Sequence, residues 1–229
     1  RGPGKAAPDG VTKMFDQTMR YPDVQGNMVR EAIAAKLGVK PENVLVSCGS
    51  GEILRVGSYA FTGPGKALVT GSPSFEDPVR HSQMMNAEIR AVPVDSNLRL
   101  DLGKMLEQVN ATSGMVFLCN PNNPTATVHG DKAIKDFIAE VHRRSPNTVI
   151  MLDEAYHENV EDPTYGTGIP IALADPNVIV VRTFSKVFGM AGMRLGYVVG
   201  QPATLNKMAR HLLPNAINVL ATAAGMATI

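Results

Sequence analysis

Thr183, Ser185, Lys186 and Arg194 fall within one stretch, VIVVRTFSKVFGMAGMRLGYVVG, that runs from Val178 to Gly200. Its first residues, Val178 to Val181, are all β-branched and read as a buried strand. Leu195 to Val199 reads as a second one. Between them lie Arg182-Thr183-Phe184-Ser185-Lys186 and then Gly189, Gly192 and Gly196, with Met193 and Arg194 set before the last. A lysine held between two strands can form a Schiff base with an aldehyde. The hydroxyls of Thr183 and Ser185 and the guanidinium of Arg194 can hold a phosphate on the same molecule. Pyridoxal phosphate carries both groups. A Ser-Lys pair after a strand also fits a plain solvated loop, so the reading depends on what the rest of the chain supplies.

Three other stretches supply complementary groups. Thr148 to Leu152 reads as a strand ending in Asp153-Glu154-Ala155-Tyr156. An acid at such a point caps locally, or holds Mg²⁺ as in a nucleotide hydrolase, or pairs with a protonated ring nitrogen of a cofactor. No GxxxxGK[ST] occurs in the chain, which argues against the nucleotide hydrolase. The strand Met115 to Cys119 runs into Asn120-Pro121-Asn122-Asn123-Pro124-Thr125, where prolines and asparagines enforce a rigid, non-helical path that can aim an amide. Asn123 and Tyr156 are neutral donors suited to a phenolate oxygen. Cys48-Gly49-Ser50-Gly51-Glu52 follows the short strand Asn43 to Ser47 and precedes a helix over Ile53 to Phe61, a geometry that leaves backbone N–H groups free for an anion. Phe75 either covers a ring face or packs into the core.

The elements that must position these loops alternate regularly. The chain is expected to be irregular over Arg1 to Gly10 and helical over Val11 to Met19, to turn at Tyr21-Pro22-Asp23, and to be helical again over Asn27 to Leu37 with Gly38 as the stop. Strands are expected over Lys66 to Thr70 and Glu88 to Pro93. Helices are expected over Phe75 to Asn86 with Ser74 as N-cap, over Leu100 to Val109, over Asp131 to Arg143 and over Ala203 to Leu213. His157 to Ala174 reads as a loop region. The alternation predicts an α/β fold with a mostly parallel sheet, whose ligands sit beyond the carboxyl ends of the strands.

The motifs SCGSGEIL, NPNNPT, MLDEAY and TFSKVFGMAGMRLGY, in this order, resemble the fold-type I pyridoxal-phosphate aminotransferases of class I/II, and among them the histidinol-phosphate aminotransferase branch. The resemblance runs from about Gly2 to the end. It implies a three-layer large domain with a mixed, mostly parallel sheet between helices, and pyridoxal 5'-phosphate as cofactor. It implies that Lys186 carries the covalent link and acts as general base, that Asp153 faces the ring nitrogen, and that Asn123 and Tyr156 contact the ring oxygen. Thr183, Ser185, Arg194 and the Ser50-Gly51 amides would bind the phosphate. Tyr21 would reach the phosphate of a neighbouring subunit, which implies a homodimer. The chain departs from the family pattern in three places: Ala126 stands where a glycine is common, Gly51 where an acid is common, and Pro78 where a second aromatic is common, so the resemblance does not fix Phe75 as the ring cover.

With 229 residues, 44% of them hydrophobic, and a net charge of +1, the chain has the composition of an ordinary globular protein. Its basic residues are scattered, which excludes a nucleic-acid-coating role, and Cys48 and Cys119 form no zinc or disulfide pattern. The expected organisation is an N-terminal arm over 1–20, a cofactor-binding large domain over 21–213, and the start of a connecting helix over 214–229 toward a small C-terminal domain that the chain lacks. Segments beyond both ends, and a cytoplasmic setting, are expectations of the same kind. The function expected is transfer of an amino group between an amino acid and a 2-oxo acid or phosphorylated ketone. An amino-acid decarboxylase similar to threonine-phosphate decarboxylase shares this cofactor site, and an inactive cofactor-domain fragment is the non-enzymatic alternative.

Overall fold

A computed structural model describes residues 2, 4–23 and 26–229. Part of the stretch read as irregular, Arg1 and Pro3, lies outside the described residues, as do Val24 and Gln25. Seven strands form one sheet: β1 (Val44–Ser47), β2 (Ala67–Ser72), β3 (Ile89–Pro93), β4 (Ser113–Cys119), β5 (Val149–Asp153), β6 (Val178–Thr183) and β7 (Gly196–Val199). Their order is β1-β7-β6-β5-β4-β2-β3. The pairs from β6 to β3 are parallel, whereas β7 is antiparallel to both β6 and β1. The expected α/β class with a mixed, mostly parallel sheet is what the chain adopts.

The helices are α1 (Ala6–Met14), α2 (Asn27–Leu37), α3 (Ser50–Phe61), α4 (Asp77–Met84), α5 (Leu102–Glu107), α6 (Asp131–Arg144), α7 (Ile169–Ala174), α8 (Pro202–Ala209) and α9 (Val219–Thr228). Because side chains alternate along a strand, each central strand feeds two cores. Ile150 and Leu152 of β5, with Val178 and Val180 of β6, pack with α2, α6, α7 and α9. Val149, Met151, Ile179 and Val181 pack on the other face against Ile53, Leu54 and Val56 of α3 and Leu205 and Met208 of α8. Asp153 and Thr183 continue this second set by parity, so both side chains leave the sheet on the α3 side.

Three expectations need correction. The first helix starts at Ala6, not Val11, and a 3₁₀ turn over Phe15–Gln17 follows it. Pro8 sits in its first turn, where its missing N–H costs no hydrogen bond. Gly10 lets α1 lie close on α9: a Cβ there would stand 2.9 Å from both the Ala223 carbonyl oxygen and the Ala227 Cβ. Ser74 does not cap α4. The helix begins at Asp77, and the Ser74 hydroxyl instead donates to Asn122 Oδ1 at 2.8 Å. The region 157–174 contains a 3₁₀ turn, His157–Asn159, and the short α7, which is opened by Pro170.

Gly196 opens β7 and is paired with Ser47 on one side and Thr183 on the other. A Cβ at Gly196 would stand 2.7 Å from the Gly49 carbonyl carbon and 2.9 Å from the Ser50 Cα. These are backbone atoms and cannot swing aside. Gly196→Ala is therefore expected to lower the unfolding free energy by about 1–3 kcal/mol, read from urea denaturation.

Candidate active site

The topology brings distant residues to one edge of the sheet. β1, β2, β4, β5 and β6 all end there, and β7, running the other way, begins there. The link from β6 to β7 therefore leaves and re-enters the sheet at this edge, with Lys186 near its start and Arg194 near its finish. The turn from β1 into α3 lies beside it. A cavity of about 260 Å³ opens between these loops. Of the residues singled out in the sequence, Ser50, Gly51, Phe75, Asn123, Asp153, Tyr156, Ser185, Lys186 and Arg194 line it.

Arg194 takes a left-handed backbone conformation, φ 58°. Its Nη1 donates to the Ala191 carbonyl at 2.8 Å and to Ser185 Oγ at 3.4 Å. The guanidinium lies over Gly49, where a Cβ would stand 2.8 Å from Arg194 Cζ and where φ is +84°. The positive φ calls for a glycine at that position, and its bare Cα gives the guanidinium room to lie there. Glu52 turns back to accept the Cys48 N–H at 2.9 Å, which closes the turn into α3. The first N–H groups of α3 have no acceptor within the helix and carry its partial positive charge. Together with Arg194 and the Ser185 hydroxyl they form a site suited to a phosphate.

Asp153 ends β5 directly opposite Cys119, the last residue of β4. Its side chain is 3% exposed. Among the described residues its carboxyl accepts one hydrogen bond, from the Ala155 N–H at 3.2 Å. Burial is the main cause that pushes it up to about 7, with smaller contributions from Glu154 and Asp77, against the lowering effect of the Ala155 bond and Lys186. A buried carboxyl without a cation against it is suited to receive one. Cys119 is raised by burial above all, so it stays a neutral thiol, and it donates to the Pro121 carbonyl at 3.2 Å. Lys186 Nζ lies 4.9 Å from the centroid of the Tyr156 ring.

The NPNNPT loop divides its tasks between two adjacent amides. Asn122 is buried, and its Nδ2 donates to the Pro73 carbonyl at 3.1 Å and to Thr125 Oγ1 at 2.8 Å while its Oδ1 accepts from Ser74. The loop is thereby fixed, and Asn123 is presented to the cavity. A larger hollow of about 410 Å³ adjoins the first beyond Asn123 and Tyr156, reaching Val160 and Asp162.

Two residues read from the sequence do not line the cavity. Thr183 is buried, and its hydroxyl accepts the Ser185 N–H at 3.1 Å, shaping the turn that presents Ser185 and Lys186. Tyr21 is 86% exposed and stands away from the lining. Conversely, Asp77 and Cys119 line the cavity without having been singled out. Cys119 was legible as the residue before the loop. Asp77 carried no local signal.

The neighbour of Asp153 has a different surrounding. Glu154 is 3% exposed and Arg182 5%. Arg182 holds the Glu154 carboxylate through Nε at 2.8 Å and Nη2 at 2.7 Å. Thr167 Oγ1 and the Gly168 N–H complete its shell at 2.9 and 2.6 Å. This pair lies beneath the loop after β5 and ties it to the end of β6.

The chain belongs to the family of aminotransferases of class I and II, whose pattern residues 4–228 match. It is similar to histidinol-phosphate aminotransferase of Moorella thermoacetica, 36% identical over all of this chain and 58% of that protein. It is also similar to an aromatic amino acid aminotransferase of Nocardia farcinica, 34% identical over 99% of this chain and 63% of that one. The structure of histidinol-phosphate aminotransferase from Sinorhizobium meliloti in complex with pyridoxal-5'-phosphate superposes with a TM-score of 0.85 at 26% identity, covering 99% of this chain and 61% of the other. The chain thus spans about six tenths of the length of these relatives. Among the described residues no helix is long and apolar enough to cross a membrane.

Two outcomes are expected from this geometry. Glu154→Gln leaves the buried Arg182 with the partly exposed Glu158, 3.6 Å from its Nη1, as remaining counter-charge, and is expected to cost about 3 kcal/mol in urea denaturation, the low end for breaking a buried pair. Asp153 governs a pH dependence. The unfolded carboxyl titrates near about 3.9, whereas the folded one holds its proton to about 7. Between these values unfolding releases a proton, so this group lowers stability as pH rises through the window and adds no further change above it. Asp153→Asn lacks that loss. Its stability relative to the parent, without added ligand, is expected to rise by on the order of a few kcal/mol from about pH 4 to pH 7, as measured by denaturation at each pH.

Proposed function

We propose that this chain forms the cofactor-binding part of a pyridoxal-phosphate-dependent aminotransferase similar to histidinol-phosphate aminotransferase. It would move an amino group between an amino acid and a 2-oxo acid or phosphorylated ketone. The observation that carries the reading is the convergence of Lys186, Asp153, Arg194 and the α3 N-terminus on one cavity of about 260 Å³.

The residues fit the cofactor. Asp153 is buried, and among the described residues its carboxyl is met by one backbone N–H and no ion pair. Gly49 leaves room for the Arg194 guanidinium over the turn, and Asn123 and Tyr156 line the same cavity. When bound, pyridoxal phosphate supplies an aldehyde that condenses with amines and a protonated ring that draws electrons from the substrate carbon. Arg194, Ser185 and the Ser50-Gly51 amides bind the phosphate, and Thr183 keeps the Ser185 turn in shape. Asp153 would hold a ring nitrogen protonated. Asn123 and Tyr156 would orient the ring through its oxygen, and Phe75 would cover one face. Lys186 would anchor the group and, once the substrate amine has displaced it and freed its Nζ, would take up a proton there from the substrate carbon and return it within the same turnover.

A second copy of the chain is part of the reading. Phe15, Met19, Tyr21 and Met28 are all exposed around the N-terminal turn, an apolar group suited to an interface between subunits. Tyr21 from one copy would reach the phosphate of the other.

The test is a visible absorbance spectrum of the chain titrated with pyridoxal phosphate. The expected result is a saturable band that borohydride fixes onto the peptide containing Lys186, with both band and adduct lost in Lys186→Ala. Asp153→Asn is expected to keep the adduct. In a protein of the relatives' full length it is expected to lose at least about 100-fold in transamination rate. A folded parent chain without the band, or an adduct on another lysine, would overturn the assignment.

A further inference from the structure

Asp77 is an unexpected group in a cavity read as an anion site. It is the first residue of α4 and lines the same cavity as Ser50, Gly51 and Arg194. Its Oδ2 lies 3.7 Å from the point where a Cβ on Gly51 would stand, an ordinary contact distance that sets the carboxylate beside the first turn of α3. Its Oδ1 is held by Arg80 Nη2 at 2.7 Å, one helical turn on and largely exposed. Its negative charge also adds to the forces that keep the proton on Asp153. A carboxylate beside the first turn of α3 occupies the field that an incoming phosphate would use, and two anions so placed repel each other.

We propose that the Asp77–Arg80 pair sets the anion affinity of this site. Asp77 weakens phosphate binding at the α3 N-terminus, and Arg80 limits that effect by drawing the carboxylate's charge away from the cavity. Asp77 is a positioning residue in this scheme: it acts on the field at Ser50 and Gly51. The inference rests on the reading of that turn as a phosphate site.

Inorganic phosphate is the probe, titrated calorimetrically into the chain in low salt. Asp77→Asn is expected to bind it about five-fold more tightly, and Arg80→Gln to bind it more weakly by a similar factor. The ratio between Asp77→Asn and the parent is expected to shrink toward one in about 1 M sodium chloride, where the screening length falls to about 3 Å. A merely structural role predicts the opposite sign for Asp77→Asn, because losing the Arg80 contact and the acid at the start of α4 destabilises the helix. Thermal melts establish that each variant is folded. Unchanged or weaker binding in Asp77→Asn overturns the role of Asp77 and leaves the phosphate site standing. If neither the parent nor Asp77→Asn shows saturable binding, and Arg194→Ala behaves as they do, the phosphate site itself falls and the inference with it.

Discussion

One reversed strand constrains the rest of this structure. With β7 running against both neighbours, the β6–β7 connection becomes a return at the carboxyl edge of an otherwise parallel sheet. A parallel crossover would have carried the chain to the opposite edge before it re-entered. The return is what allows a lysine and an arginine from one short segment to face the same cavity. It also requires close backbone approach, because β7 is inserted between β1 and β6 and its first residue lies against the turn into α3. Gly196 and Gly49 therefore shape the site without lining its cavity.

Adjacent acids on one strand end show how environment divides chemistry. Asp153 and Glu154 are equally buried. Glu154 is met by a guanidinium, a hydroxyl and a backbone N–H, and these stabilise its charge. Asp153 is left with one backbone donor, and burial dominates its titration. The first holds two strand ends together. The second is a carboxyl in search of a cation.

Much of this was legible in the sequence, and the reasons are specific. The β-branched run at Val178 to Val181 and the apolar run at Val149 to Leu152 are long enough to announce buried strands, and the acids, amides and lysine follow them directly. Lys186, Asp153, Asn123 and Tyr156 were therefore readable as loop residues at strand ends. Thr183 was readable as a hydroxyl, but not as one that shapes the turn instead of lining the cavity, since that depends on which way the backbone turns after β6. Asp77 is placed by a helix start two residues later than the periodicity implied, and Ser74 is drawn from its expected cap by Asn122, which is 48 residues away in the chain. The first helix starts earlier than the sequence suggests, because Gly10 and Pro8 read as breakers. Close packing on α9 makes the glycine an advantage. Pairings across such separations leave no trace in local pattern.

The bonds from Asn122 to Ser74 and Pro73 have a kinetic consequence. They join the loop after β2 to the loop after β4, so Phe75 and Asn123 are carried on one braced unit. The entropy of ordering these walls is spent during folding, not at encounter. Association of a flat ligand with this cavity should therefore show no slow step for the walls to assemble around it.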